Sequence, residues 1–203
     1  MSRELLASLI AQTQPVYAQN PYWIFEDEQI KTVTGEPFSP EMLTSVIAVV
    51  QKYFATVFRS VQTEAQVLVV KEADAAFLRN DCIPELATDN ADLAIFVLPQ
   101  NNTWGTTSVS EVYWQKMVEA GITPYVRIHS HHTLAAYQSQ TDWSTLNSGS
   151  LEMVLGDVFA ETPQIAYWLD VRGTDTKDNV WNVTDGETRK IKSGRPIKID
   201  MGV

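Results

Sequence analysis

The chain has few of the residues that mark several common classes of protein. Its 203 residues include one cysteine, Cys82, so no disulfide framework forms within the chain, and we expect a reducing, cytoplasmic setting. No uninterrupted apolar run has the length needed to cross a membrane. The first residues also lack the pattern of a secretory signal peptide. We therefore expect a globular protein without a membrane partner.

Basic residues are in short supply as well. Lys and Arg number 15 against 25 Asp and Glu, which gives a formal net charge of −10 at pH 7. Nucleic acids are bound largely through contacts of Lys and Arg with phosphates, so this balance argues against a nucleic-acid partner. The acidic residues are spread along the chain, as is typical of a solvated surface rather than of an acidic tail.

Several catalytic signatures are missing. The chain has no H-E-x-x-H motif, no Gly-rich phosphate loop ending in Gly-Lys-Ser/Thr and no G-x-S-x-G nucleophile turn. The paired cysteines of zinc deaminases are absent. No histidine follows His132, which argues against cupins and amidohydrolases, and the chain is short for a TIM barrel.

Histidine is scarce, yet all of it lies in one place. His129, His131 and His132 fall within four positions, and Ser139 and Asp142 complete the pattern H-x-H-x7-S-x2-D. On an extended chain, side chains two residues apart point the same way at a spacing of about 6.5–7 Å, so His129 and His131 can converge on one ion. Two imidazoles and the carboxylate of Asp142, expected at a helix start, are the ligand set of a catalytic zinc with one open position. The pattern predicts one zinc per chain.

A family resemblance follows from these residues. His129-Ser130-His131, Ser139 and Asp142 match the motif of the JAMM (MPN+) zinc metallopeptidases, and the chain resembles bacterial and phage-type members of that family over about residues 40–185. The resemblance implies an α/β (α+β) fold, a mixed β-sheet flanked by helices with a core similar to that of cytidine deaminases. It also implies hydrolysis of a peptide or isopeptide bond, often to a ubiquitin-like protein, by a zinc-activated water.

The resemblance assigns two further catalytic roles. Family members use an upstream glutamate as general base. That position corresponds to Glu64, which follows a long helix predicted to end near Phe58 and precedes the strand 65–70. Glu72 and Glu111 are the alternatives. Ser139 is expected to donate a hydrogen bond to the oxyanion, and its other possible role is to cap the following helix.

Three side chains are candidate substrate contacts. Trp104 and Tyr137 are also explained as ordinary core residues, and His132 as a surface or supporting residue. Many family members have proline directly after the second histidine, where this chain has His132. We therefore expect the adjoining loop, and with it the substrate class, to differ. The polar segment 99–107 is predicted to be a loop at the rim of the site.

The remaining pattern predicts an N-terminal appendage, residues 1–35, on a metallopeptidase domain, residues 36–203. In the domain, Ser39 as N-cap and Pro40 at the first helical position begin a long helix that ends near Phe58. The other predicted elements are helices at 2–13, 111–120 and 143–147, and strands near 22–25, 29–33, 63–70, 91–98, 123–128 (leading into His129), 151–159, 164–171 and 180–184.

Two classes of function remain open at this point. The first is a zinc metallopeptidase acting on a protein or peptide substrate. The second is a non-catalytic MPN-type binding or assembly module that keeps a zinc site. The complete ligand set favours the enzyme, because scaffolding relatives usually lose ligands, and a hydrolase of small amides is a third possibility.

Overall fold

A central mixed β-sheet organises the chain. The computed structural model describes residues 20–26, 29–57, 64–103, 106–109, 111–137, 150–169 and 197–198. In chain order the elements are β1 (Trp23–Glu26), β2 (Gln29–Thr32), a 3-10 helix (Pro40–Leu43), α1 (Thr44–Val57), β3 (Gln66–Lys71), α2 (Glu72–Asn80), β4 (Glu85–Leu86), β5 (Leu93–Phe96), β6 (Gln100–Thr103), β7 (Thr106–Val109), α3 (Glu111–Glu119), β8 (Val126–Ser130), β9 (Leu151–Gly156), β10 (Gln164–Leu169) and β11 (Ile197–Lys198).

The order of strands in the main sheet is β11-β10-β9-β8-β3-β5-β4. β8 and β9 run parallel, and every other adjacent pair in this order is antiparallel. β3 lies inside the sheet because its run of apolar, mostly β-branched residues is buried along both faces. The structure therefore confirms the predicted α+β class with a mixed sheet and helices.

Each face of the sheet carries its own apolar cluster. Side chains alternate between faces along a strand, so neighbours in sequence enter different clusters. The first face packs against α1 and the β1–β2 hairpin, and its strand residues include Val67, Val69, Ile95, Val126, Ile128, Met153 and Leu155. The second face packs against α2 and α3 through Leu68, Val70, Ala75, Leu78, Ala94, Phe96 and Met117.

A line of polar side chains interrupts the second face. The residues that alternate with Val126 and Ile128 of β8 point to that face, together with their neighbours on β3 and β9. On the far side of this line a small apolar cluster of Ala136, Val154, Ala166 and Trp168 resumes the packing. We call the line the polar strip, and it consists of Gln66, Arg127, His129 and Glu152.

The β1–β2 hairpin, which belongs to the predicted N-terminal appendage, packs on the first face. Trp23 and Ile30 are buried in the cluster of that face. The indole Nε1 of Trp23 donates a hydrogen bond of 2.7 Å to the backbone oxygen of Tyr125, just before β8. The hairpin thus stabilises the strand that leads to the histidines.

Most described elements match the predicted ones. The sequence pattern correctly predicted the helices α1 and α3 and the strands β1, β2, β3, β5, β9 and β10. α3 ends before Gly121, whose φ of +71° suits a glycine C-cap. β9 stops at Gly156, earlier than predicted, because Asp157 turns the chain with a φ of +50°. None of the described helices has the length and apolar character to cross a membrane.

Two local predictions need correction. Ser39 occupies the N-cap position and Pro40 the first helical position, as predicted, but Ser39 makes no side-chain capping bond and the first turn is a 3-10 helix before α1 begins at Thr44. The segment 99–107 is not a plain loop, because it contains the antiparallel hairpin β6–β7. The predicted helices 2–13 and 143–147 and the strand 180–184 lie outside the described residues.

Candidate functional site

The first two predicted ligands lie together at the end of β8. The ring centroids of His129 and His131 are 5.2 Å apart, and the two residues are 8% and 2% exposed. His131 follows the last strand residue, and its backbone N–H donates to Leu155 of β9 at 2.8 Å. The main chain of β8 and β9 therefore holds both imidazoles in place.

A backbone carbonyl favours one tautomer of His131. Its Nδ1 lies 3.3 Å from the oxygen of Ala135. A carbonyl oxygen only accepts hydrogen bonds, so this contact favours a neutral ring with the proton on Nδ1 and the lone pair on Nε2. A metal-ligating histidine is commonly oriented by such a bond from its other nitrogen. The donor chemistry of His131 thus fits a zinc ligand through Nε2.

Glu64 lies across from His131. Beyond the paired part of β3 and β8, the backbone N–H of Ser130 donates to Ala65 at 2.9 Å, and the N–H of Ala65 donates to Ser130 Oγ at 3.0 Å. The antiparallel register therefore sets the next two residues, Glu64 and His131, opposite each other. The distance from Glu64 Oε1 to His131 Nε2 is 3.9 Å, and the glutamate side chain is 12% exposed.

The two alternative glutamates are placed differently. Glu72 begins α2 beyond the opposite end of β3, on the order of 20 Å away along the strand. Both its carboxylate oxygens accept hydrogen bonds from Arg79, at 2.6 and 3.0 Å, and these bonds lower the pKa of Glu72. A lowered pKa weakens a general base, so Glu72 is poorly suited to the role. Glu111 is the first residue of α3, and its side chain lies outside the described part.

Tyr137 stands beside the histidines. Its ring meets that of His131 edge to face with a centroid separation of 4.7 Å. The residue is 47% exposed, so one side of the phenol contacts His131 and the other contacts solvent. This position allows Tyr137 to contact a substrate bound next to the histidines.

His132 occupies a turn that proline cannot adopt. Its φ is +51°, whereas the proline ring fixes φ near about −65°. The side chain is buried, its Nε2 has no hydrogen-bond partner among the described residues, and burial lowers the pKa of the imidazole. The turn after His131 is therefore one that proline, frequent at this position in the family that the sequence resembles, could not form.

The other predicted site residues are not described. Trp104, Ser139 and Asp142 lie outside the described residues, so their roles stay predictions. Within the described ranges, no group of three His, Cys, Asp or Glu side chains is arranged to hold a metal ion. Two neighbouring imidazoles nevertheless supply the nitrogen donors that zinc prefers, and Asp142 is the carboxylate expected to join them.

Sequence patterns did not predict the charged pair next to the histidines. Arg127 Nη1 lies 3.1 Å from Glu152 Oε1, with the two side chains 15% and 8% exposed. With its amide oxygen turned toward the guanidinium, Gln66 accepts from Arg127 Nε and Nη2 at 3.0 and 3.1 Å. Gln66 is also the cross-strand partner of His129. The sequence did contain one indication that Arg127 lies near the site: it precedes His129 by two residues and therefore shares its face of the strand.

We expect Glu152→Gln to lower the free energy of unfolding by about 3 kcal/mol, because it leaves the largely buried Arg127 charge, 15% exposed, without its counter-ion. Chemical denaturation followed by circular dichroism measures the change. Glu26→Gln is the matched control, since it breaks an ion pair with Lys31 in which the glutamate is 62% exposed, and such pairs contribute only about 0–1 kcal/mol. Equal losses in the two variants would show that the Arg127–Glu152 pair has no special weight.

No protein-family model matches this chain, and no curated protein is similar to it at a significant level. The function proposed below therefore depends on the residues of the site: the two imidazoles, the facing carboxylate of Glu64 and the carbonyl that orients His131.

Proposed function

We propose that the protein is a zinc-dependent metallopeptidase that hydrolyses a peptide or isopeptide bond. One observation carries the proposal: Glu64 Oε1 lies 3.9 Å from the Nε2 of His131, whose ring is adjacent to that of His129. A carboxylate next to two histidines on one sheet face combines a proton acceptor with metal ligands. Composition agrees with a protein or peptide partner, because the net charge of −10 disfavours nucleic acid.

His129, His131 and Asp142 would hold the zinc. The bound ion supplies Lewis-acid polarisation, which makes water a nucleophile near neutral pH. Glu64 accepts one proton of the attacking water while the oxygen adds to the amide carbon. Glu64 then returns that proton to the amide nitrogen as the C–N bond breaks, so the same carboxylate acts first as base and then as acid.

Two further groups have proposed roles in this scheme. Ser139 donates a hydrogen bond to the oxygen that becomes negative when water adds to the amide. Tyr137, exposed beside His131, contacts the substrate chain next to the scissile bond. Burial of both histidines strengthens the interactions of the site, because charge is screened less away from water.

A substrate panel tests the proposal. Zinc-loaded protein is incubated with peptides, isopeptide-linked conjugates, ubiquitin-like fusions and small amides, and the products are followed by mass spectrometry. We expect turnover of a peptide or isopeptide substrate, its loss after chelation and its return when zinc is added. Zinc bound stoichiometrically without turnover of any substrate would instead favour the binding or assembly module. Cleavage of small amides alone would replace the peptidase with a small-amide hydrolase.

A further inference from the structure

A short stretch of chain lies directly on the sheet beside His131. After β8 the chain turns back, with the N–H of Leu134 donating to the His131 oxygen at 2.8 Å. The Leu134 oxygen then accepts from the N–H of Asp157 at 2.9 Å. Ala136 is fully buried against the second face. We call residues 134–136 the strap.

Gly156 of β9 is the residue over which the strap passes. A Cβ at this position would lie 2.2 Å from Ala136 N, 2.5 Å from Ala135 C and 2.6 Å from Leu134 O. All three are backbone atoms, which cannot move aside as a flexible side chain would. Only glycine therefore permits this approach, and glycine within a strand often marks such a contact.

The strap carries the carbonyl that orients His131. The Ala135 oxygen is the acceptor 3.3 Å from His131 Nδ1, and the carbon of that same carbonyl lies 2.5 Å from the position of the missing Cβ. The missing Cβ of Gly156 and the proton on His131 Nδ1 are thus linked through the carbonyl group of Ala135. Any displacement of the strap at Gly156 displaces the Ala135 oxygen as well.

We propose that Gly156 is a positioning residue: by admitting the strap, it keeps His131 in the Nδ1–H tautomer. The consequence for zinc rests on the proposed function, because a ring protonated at Nε2 presents no lone pair to an ion on the Glu64 side. The tautomer itself is a property of the metal-free chain and does not depend on that function.

The test compares Gly156→Ala with the unmodified protein. Long-range proton–nitrogen NMR of the imidazoles, recorded without metal at a pH of about 8, reports the tautomer, since histidine is then neutral. We expect an Nδ1–H ring for His131 in the unmodified protein and loss of that preference in Gly156→Ala. Competition with a chromogenic chelator should show zinc affinity lowered by about 10–100-fold, as when an outer hydrogen-bond partner of a ligand is removed.

Gly121→Ala is the matched control. Gly121 has a φ of +71° and nothing within 4 Å of an added Cβ, so alanine there strains the backbone without touching the strap. We expect the His131 tautomer and zinc affinity to stay unchanged in this variant. An equal effect of both glycine variants would reduce the result to general destabilisation and overturn the proposal.

The remaining outcomes are also decisive. Should Gly156→Ala fail to fold, the spectrum of the unmodified protein decides the question, and an Nε2–H ring for His131 there overturns the inference. A folded Gly156→Ala that keeps the Nδ1–H ring overturns it too. If the tautomer shifts as expected but the unmodified protein binds no zinc, Gly156 retains its positioning role and the metallopeptidase proposal fails.

Discussion

Glu64→Gln should lower the turnover of an amide substrate by roughly 10²–10⁴-fold while zinc content remains at the level of the unmodified protein. Glutamine preserves the size of the side chain and its hydrogen bonding, but its amide cannot accept the proton of an attacking water. Zinc stays because Glu64 is not one of the proposed ligands. Steady-state kinetics on the best substrate of the panel, with elemental analysis of the same sample, measure both quantities.

Glu72→Gln provides the control for this prediction. The substitution is the same, but Glu72 lies beyond the other end of β3 and bonds to Arg79 on the surface. Turnover should stay near that of the unmodified protein. If Glu64→Gln were fully active, the proton carrier would have to be another residue, and Glu111 would be tested next. If Glu72→Gln lost turnover equally, the assignment of the proton carrier to Glu64 rather than to Glu72 would be wrong.

His129→Ala combined with His131→Ala should abolish zinc binding. The double variant removes both nitrogen donors and leaves one predicted carboxylate, so affinity should fall by more than the roughly 10–100-fold that follows loss of an outer partner. Elemental analysis of protein purified without chelator should find zinc close to zero, against one ion per chain in the unmodified protein. Circular dichroism checks that the variant is folded.

A variant of the neighbouring His132 is the control that distinguishes the loss of metal ligands from a local disturbance of the turn. His132→Asn removes an imidazole from the same turn, and asparagine tolerates the φ of +51° that the turn requires. This variant should retain zinc. Full zinc retention in the double variant would contradict the ligand assignment, and loss of zinc in His132→Asn alone would add His132 to the metal site.

The sequence predicted the strands that matter most to the site. The apolar run of β3 and the β-prone residues before His129 form strands, as predicted. The rings of His129 and His131 lie next to each other, as their two-residue spacing predicted. These predictions succeeded because each depends on residues close in sequence. The assignments of Ser139 and Asp142 depend on the family motif, and these residues lie outside the described ranges.

The β6–β7 hairpin could not be foreseen because a distant strand stabilises it. Its residues are mostly Gln, Asn, Thr and Ser, without the apolar alternation that marks a strand. The Gln100 amide, however, accepts from the backbone N–H of Gln66 and donates to its carbonyl, both at 2.8 Å. Helix α2 is hard to predict for a different reason, because it is short and buries only Ala75 and Leu78.

Gly156 and Glu152 show a second limit of sequence patterns. Each lies in a strand that was predicted, yet its role depends on a residue outside that strand: the strap for Gly156 and Arg127 for Glu152. A charged residue inside an apolar strand was a visible sign that a partner exists. Only the parallel pairing of β8 with β9 identifies Arg127 as that partner.

The paired hydrogen bonds between Ala65 and Ser130 hold the neighbouring Glu64 and His131 in place before any ligand binds. Both residues are fully buried, so these bonds are shielded from competition by water. Glu64 and His131 are attached directly to this rigid pair, and their spacing is set when the chain folds. In the proposed reaction, substrate binding therefore needs little reorganisation of Glu64 and His131, because the entropy of aligning carboxylate and imidazole has been lost before any substrate arrives.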